Sequence, residues 1–133
     1  MALNLSVDVR NARLDAIETA IGASPYLRIR SGSMPSSCAD ADVGTVLAEC
    51  ALPSDWMGDA VAGVKSKSGT WQDTSADNSG TATHFRIYKN DGTTCCMQGT
   101  VGVAAADMIV LSTAFVATQP FTITAFTLSD GNA

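Results

Sequence analysis

The first pattern of apolar and polar positions along the chain has the period of an α-helix. Within residues 6–21, one narrow apolar stripe recurs at spacings of seven, three and four residues: Val7, Leu14, Ile17 and Ile21. Ser6 can cap the N-terminus of this helix, and Gly22 can end it in a left-handed conformation. The stripe fits two arrangements: the helix packs on its own domain, or it packs on a neighbouring subunit.

Beyond this helix the period changes to that of β-strands. Residues 26–30 alternate apolar and basic side chains, as a half-buried strand does. Further strands are predicted over 43–52, 60–66, 81–89, 94–101, 108–113 and 121–128. Small and polar residues predict loops over 31–42 and 73–80.

Alternation within the strands also assigns their faces. The strand over 43–52 places Cys50 on a core face. In the last strand, Phe121, Ile123 and Ala125 fall on one face and Phe126 on the other. Between the strands over 81–89 and 94–101, the sequence Asn-Asp-Gly at 90–92 predicts a hairpin turn, because these residues tolerate positive φ.

One helix followed by seven or eight short strands predicts a mainly β fold. With turn signals about every ten residues, we expect an antiparallel β-sandwich or jelly-roll-like domain. Residues 1–22 form the N-terminal helical segment, and residues 23–133 form the single β-sandwich domain. Strands and helices do not alternate, which argues against a parallel nucleotide-binding sheet.

The composition suits lasting contact with other protein at least as well as free life in the cytosol. Only 16% of the 133 residues are charged, and small or hydroxyl-bearing residues take their place. The net charge of −5 argues against free nucleic acid as a partner, since that needs a basic footprint. The longest strongly apolar run, 108–111, is too short for a bilayer, so no membrane partner is expected either.

The cysteines are expected to be thiols. The first residues lack the basic and apolar regions of a signal peptide, which predicts synthesis and initial use in a reducing cytoplasm. The chain has four cysteines: Cys38, Cys50, Cys95 and Cys96. A free cysteine is more often a small core residue than a reactive one.

The hairpin over 81–101 holds the only histidine, His84, and the adjacent pair Cys95 and Cys96. Pairing about the turn is expected to place His84 near Gln98 or Gly99 and the cysteines near the turn. Adjacent cysteines on a strand point to opposite faces, and structural zinc sites use more widely spaced cysteines. We therefore expect one cysteine in the core, one facing outward, and a histidine bonded to a neighbour.

Other motifs predict no catalytic, cofactor-binding or metal-binding residue. The glycines lack the following lysine of a phosphate loop, and no serine has the flanks of a nucleophile elbow. The carboxylate pairs, Asp40 with Asp42 and Asp73 with Asp77, lie in polar loops where solvated charge is the default. No cofactor is expected.

Several segments resemble small virion proteins of tailed bacteriophages. They are residues 8–17, 81–94, 97–102 and 121–132. Among such proteins, a single-domain chain of this size is most similar to a capsid decoration, or cement, protein. The resemblance implies a non-enzymatic β-sandwich or jelly-roll that sits on the capsid exterior as an oligomer and stabilises the shell.

The resemblance also implies the partners and the location. They are the major capsid protein and the chain itself, as a homodimer or homotrimer, in a virion assembled in the host cytoplasm. Eight interface candidates are predicted, namely the helical stripe and four residues expected to be exposed unless they are core: Val7, Leu14, Ile17, Ile21, Trp56, Met57, Trp71 and Tyr88. The alternatives are a tail or head-fibre component that contacts the host surface and, more remotely, a Cys/His hydrolase or metal-binding protein.

Overall fold

The computed structural model describes residues 3–130 and shows a mainly β protein with one helix near its N-terminus. Helix α1 spans Val7–Ile21. The strands are β1 (Tyr26–Arg30), β2 (Val46–Ala51), β3 (Val64–Ser66), β4 (Gln72–Asp73), β5 (Gly80–Thr81), β6 (His84–Tyr88), β7 (Cys95–Gly102), β8 (Met108–Val110), β9 (Ala114–Phe115) and β10 (Phe121–Ser129). The outer ends of the two predicted segments, residues 1–2 and 131–133, lie outside the described residues.

Helix α1 begins and ends where its capping residues predict. The Ser6 hydroxyl accepts a hydrogen bond from the Val9 amide at 3.3 Å, which confirms the N-cap. Gly22 has a φ of 92°, and its amide donates to the Glu18 carbonyl. The helix therefore stops at the residue that tolerates this backbone conformation most easily.

The strands form one curled sheet and a small separate ribbon. The sheet order is β2-β1-β6-β7-β8-β10-β3, with β4 also pairing with β10, while β5 pairs with β9. The Glu49 amide of β2 donates to the carboxylate of Asp73 in β4 at 3.0 Å, so the curl brings one sheet edge back toward the other. This confirms the mainly β fold.

The pairing is antiparallel except between β7 and β8, so the prediction of an entirely antiparallel domain is wrong there. Val101 pairs with Met108 in a parallel register, although only a short connection separates the two strands. Within that connection, the Asp107 carboxylate accepts a hydrogen bond from the Thr100 amide at 2.9 Å. The chain thus folds back over the end of β7 before continuing in the same direction.

A β-bulge in β10 overturns the predicted faces of that strand. Ile123 and Phe126 are both buried, whereas Thr124 and Ala125 between them are both exposed. The register against β8 shifts between Ile123 and Ala125. Strict alternation would place one of the two large apolar side chains in water, and the extra residue of the bulge lets both face the core.

A row of four aromatic rings runs through the core. Trp56 and Trp71 have ring centroids 5.9 Å apart, Trp71 and Phe126 are separated by 5.6 Å, and Phe126 and Phe85 by 5.5 Å. These spacings are typical of favourable aromatic pairs. The row links the segments before β3 and β4 to strands β6 and β10.

The four residues expected either on an exposed binding face or in the core are buried. Trp56, Met57, Trp71 and Tyr88 each expose at most 1% of their surface. The polar tips of the tryptophans are satisfied within the chain, since the Trp56 indole donates to the Gly22 carbonyl and Trp71 to the Ser68 carbonyl. Of the two arrangements, the structure shows the buried one: Trp56, Met57 and Trp71 belong to the core cluster, and the Tyr88 hydroxyl donates to Asp42.

The helical stripe packs largely on the chain's own β domain. Leu14 and Ile21 are buried, and Ile17 is partly buried against the core. Val7 remains 41% exposed. Of the two predicted arrangements, the structure shows the one in which the helix packs on its own domain.

A buried lysine fastens this helix to the sheet. Lys65 of β3 is 1% exposed, and its Nζ lies 2.7 Å from Asp15 Oδ1 and 2.9 Å from Glu18 Oε1. The same carboxylates accept hydrogen bonds from the amides of Ala60 and Met57. The hydrogen bonds from Lys65 and the Ala60 amide lower the pKa of Asp15. Burial opposes the charge of Lys65, but its hydrogen bonds to Asp15 and Glu18 outweigh burial and raise its pKa, so Asp15 and Lys65 are charged at neutral pH.

We predict that replacing both carboxylates, as Asp15→Ala with Glu18→Ala, lowers the free energy of unfolding by clearly more than a surface control, because the buried Lys65 ammonium loses both acidic partners and keeps the Gly58 carbonyl. Adding Lys65→Met should recover part of this loss by removing the buried charge. Urea denaturation measures both effects. Asp8→Ala, on an exposed part of the same helix, is the control and should cost under about 1 kcal/mol. No recovery with Lys65→Met would contradict this account.

Candidate functional site

A long loop covers one face of the sheet. This covering loop, residues 31–45, lies across β1, β6 and β7, where the Gln98 side chain donates to the Pro35 carbonyl at 2.6 Å. Its two ends meet through a hydrogen bond from the Ser31 amide to the Thr45 carbonyl. Gly44 makes this closure possible, since its φ is 82° and a Cβ there would collide with the Ser31 carbonyl. The loop covers the His84, Arg86 and Tyr88 side of β6, while Phe85 and Ile87 pack in the core, so all five residues of β6 are buried.

Beneath the covering loop, one carboxylate joins three side chains of the sheet. Asp42 accepts hydrogen bonds from Arg86 at 2.8 Å, from the Tyr88 hydroxyl at 2.6 Å and from Arg30 at 3.1 Å. Gln98 completes the group by accepting from Arg86. These five residues are called the Asp42 cluster below.

The electrostatics of the cluster favour an ionised Asp42. Burial opposes its ionisation, but hydrogen bonds from Tyr88 and Arg86 and the charge of Arg30 outweigh burial and lower its pKa. Burial and the hydrogen bond to Asp42 raise the pKa of Tyr88, so the phenol keeps its proton. A single carboxylate therefore stands between two guanidinium groups at neutral pH.

Sequence reasoning missed this cluster. The pair Asp40 and Asp42 was expected to be solvated, whereas Asp42 binds groups far away in the chain. The available signal was the placement of Arg86 and Tyr88 on the same strand face as His84. Three polar side chains on a face that becomes buried require partners from elsewhere.

We predict that Asp42→Ala lowers the free energy of unfolding by about 3 kcal/mol, because the 2% exposed Arg86 loses the one carboxylate that pairs with it among residues 3–130. Asp40→Ala is the matched control in the same loop, since the Asp40 side chain bonds only to Ser37. It should cost under about 1 kcal/mol. Chemical denaturation of the two variants gives the comparison, and equal losses would show that Asp42 does not stabilise the buried guanidinium.

His84 is a structural residue with one unpaired nitrogen. Its side chain is fully buried, and Nδ1 lies 3.0 Å from the Thr83 hydroxyl, which itself lies 2.5 Å from the Gly32 carbonyl. Nε2 has no hydrogen-bond partner within residues 3–130. Burial and the nearby charges of Arg30 and Arg86 lower the pKa of His84, which keeps the ring neutral.

The hairpin does not bring His84 to the cysteines. Cys95 pairs with Tyr88 near the turn, as predicted, but His84 pairs with Thr100 rather than with Gln98 or Gly99. The prediction for His84 is wrong because a bulge between Ile87 and Tyr88 makes Cys96 an extra residue on β7. In the described part of the chain, no three His, Cys, Asp or Glu side chains are grouped to hold a metal ion.

We predict that His84 makes the protein sensitive to mild acid. Its folded pKa lies below its unfolded value near 6.5, so the stabilising effect of the neutral ring is complete above that pH and is lost as the pH falls. The free energy of unfolding should decline below about pH 6.5, with a slope of at most about 1.4 kcal/mol per pH unit. His84→Gln should flatten this slope between pH 7 and 5, above the range in which carboxylates titrate. Identical slopes in denaturation curves would refute the prediction.

An exposed apolar groove lies on another part of the surface. It has a volume of about 260 Å³ and is lined mainly by Ala76, Leu111, Phe115, Val116, Pro120 and Phe121. Leu111 is 84% exposed and Val116 is 55% exposed. The rings of Phe115 and Phe121 pack against each other in the groove lining, with centroids 4.5 Å apart.

Sequence reasoning did not predict this groove. The strand expected over 108–113 ends at Val110, so Leu111 lies beyond the paired residues. Val116 follows the short strand β9. No local motif distinguishes these positions from buried strand residues, because their exposure depends on where the strands stop.

No protein-family model, curated protein or solved structure matches this chain. Among residues 3–130, no helix has both the length and the apolar character required to span a membrane. A functional proposal therefore rests on the geometry of the chain and on the expectation drawn from its sequence.

Proposed function

We propose that this chain is a non-enzymatic structural protein of a tailed bacteriophage that binds the outer capsid surface and stabilises the shell. In this proposal it acts as a decoration protein, is made in the host cytoplasm, and needs no cofactor. Its partners are the major capsid protein and further copies of itself, as a homodimer or homotrimer. The observation that carries the proposal is the exposed apolar groove around Leu111 and Val116.

The groove suits a protein ligand with an apolar side chain. Burying a leucine in such a contact contributes about 1.5–3 kcal/mol, which is modest for one copy. An oligomer that engages several capsid sites at once multiplies this effect through avidity. A ligand that binds the assembled shell, and not its separated subunits, then raises the threshold for rupture.

The groove is also built on paired strands. Phe121 begins β10, which pairs with β3, β4 and β8, while Phe115 lies in β9 and pairs with Gly80 of β5. Because these groove residues are already fixed in paired strands, little conformational entropy is lost from them when a partner binds, and this favours affinity. The sandwich or jelly-roll classification belongs to the same proposal, since the curled sheet encloses its core in a comparable way.

Oligomer contacts in this proposal involve surfaces other than the helical stripe. Leu14 and Ile21 are already buried within the chain, so of that stripe Val7 is the exposed member. In this proposal the groove replaces the interface role predicted for four other residues, because their side chains are buried within the chain: Trp56, Met57, Trp71 and Tyr88.

We predict that Leu111→Asp weakens binding to capsids stripped of this protein by at least about 10-fold, because it places a charge in the apolar contact. The fold should be unaffected, since the side chain is 84% exposed. Val61→Asp is the matched control, because Val61 is 69% exposed and does not line the groove. Co-sedimentation with particles measures binding. Equal binding by both variants would exclude the groove as the contact.

The function itself is tested on the virion. Particles with and without the protein are heated, and DNA release is followed with a dye. The proposal expects release at a lower temperature when the protein is absent, with restoration by wild-type protein but not by Leu111→Asp. Equal release temperatures, with labelled protein at the tail tip or on a head fibre, would replace this proposal by the fibre alternative.

A further inference from the structure

Two cysteines that are distant in the sequence meet under the covering loop. The Sγ atoms of Cys38 in the loop and Cys95 at the start of β7 lie 2.8 Å apart. Both residues are partly exposed, so a small molecule in solution can reach them. Side chains whose sulfurs meet already point toward each other, which is the main geometric condition for a disulfide.

Contacts that do not involve sulfur hold this arrangement in place. Arg86 donates to the carbonyl of Ser37, directly before Cys38, at 2.9 Å, and to the carbonyl of Asp40 at 3.1 Å. The Gln98 side chain binds the Pro35 carbonyl from β7. The backbone on both sides of Cys38 is thus fixed to the sheet near the strand that carries Cys95.

The other two cysteines have different surroundings. Cys50 is 1% exposed inside the core, where burial raises the pKa of its thiol to about 12. Cys96 packs partly against the core, and its thiol lies 3.6 Å from the Thr94 carbonyl. Cys38 and Cys95 are therefore the pair that the fold presents to each other.

We infer that Cys38 and Cys95 form a reversible disulfide when the protein meets a small-molecule disulfide oxidant, and that this bond fastens the covering loop to β7. The inference is independent of the proposed function. It goes beyond the expectation that all four cysteines are simple thiols, because it assigns a specific modification to two of them.

Oxidised glutathione supplies a complete reaction. One cysteine sulfur attacks the glutathione disulfide and releases one glutathione thiol, which leaves a mixed disulfide on the protein. The second cysteine sulfur then attacks the protein sulfur of that mixed disulfide and releases the second glutathione thiol. Two S–H bonds of the protein are replaced by one S–S bond, and two electrons and two protons pass to the glutathiones.

The bond would lock the covering loop over the Asp42 cluster. It closes a loop of more than fifty residues, which restricts the unfolded chain strongly. Burial, followed by the neighbouring Cys38, raises the pKa of Cys95 to about 12, so its thiolate is scarce and exchange is slow. Incubation over hours is therefore needed.

The test uses the full chain with reduced or oxidised glutathione, followed by acid quenching and cleavage on the N-terminal side of aspartates. This cleavage separates Cys38, in residues 15–39, from Cys50, in residues 42–54, while Cys95 and Cys96 remain together in residues 91–106. We expect 15–39 linked to 91–106 after oxidation, with two hydrogens lost and two thiols left. A link to 42–54, a stable glutathione adduct or four remaining thiols would overturn the inference.

Variants then identify the partner. The link should vanish in Cys95→Ser and persist in Cys96→Ser, which is the matched control one residue away. The melting temperature of oxidised wild type should rise by roughly 10 °C and return on reduction, while Cys38→Ser should not respond. A link that persists in Cys95→Ser would overturn the assignment. The peptide map on wild type remains decisive if a variant does not fold.

Discussion

The buried guanidinium of Arg86 is the constraint on which one half of this structure depends. It lies on the central strand β6 with 2% of its surface exposed, so water cannot satisfy its donors. The acceptors come from the covering loop and β7: the Asp42 carboxylate, the carbonyls of Ser37 and Asp40, and the Gln98 amide oxygen. The loop must therefore close over the sheet in one register, and that register also sets where Cys38 lies.

The helix is attached by the same physical device. Lys65 on β3 is a buried cation, and the carboxylates of Asp15 and Glu18 arrive from the segment that covers it. In both places a cation on a strand pairs with carboxylates from an overlying element. Leaving either cation buried without a partner would cost considerable free energy. Such pairs add little net stability compared with apolar packing, but they penalise every incorrect docking of the overlying element.

Sequence patterns predicted the features that depend on local chemistry. Ser6 and Gly22 fixed the ends of the helix, and residues 90–92 fixed the turn of the hairpin. The bulges at Cys96 and in β10 were missed because each adds a residue that only the facing strand reveals. The candidate sites were harder still, since the Asp42 cluster and the groove join segments far apart in the chain and no single segment carries their signature.

The distribution of charge explains why an apolar groove is the better candidate for a partner contact. Within the part of the chain that the structure describes, ion pairs engage five of the eight basic residues: Arg13, Arg28, Arg30, Lys65 and Arg86. The net charge is −5, and most of the basic side chains are already paired with acidic residues of the same chain. Steering by opposite charge would be weakened by salt at physiological strength, whereas burial of Leu111 and Val116 is not screened. A contact of this kind is weak for one copy and gains strength when many copies act together, as they would in the proposed capsid role.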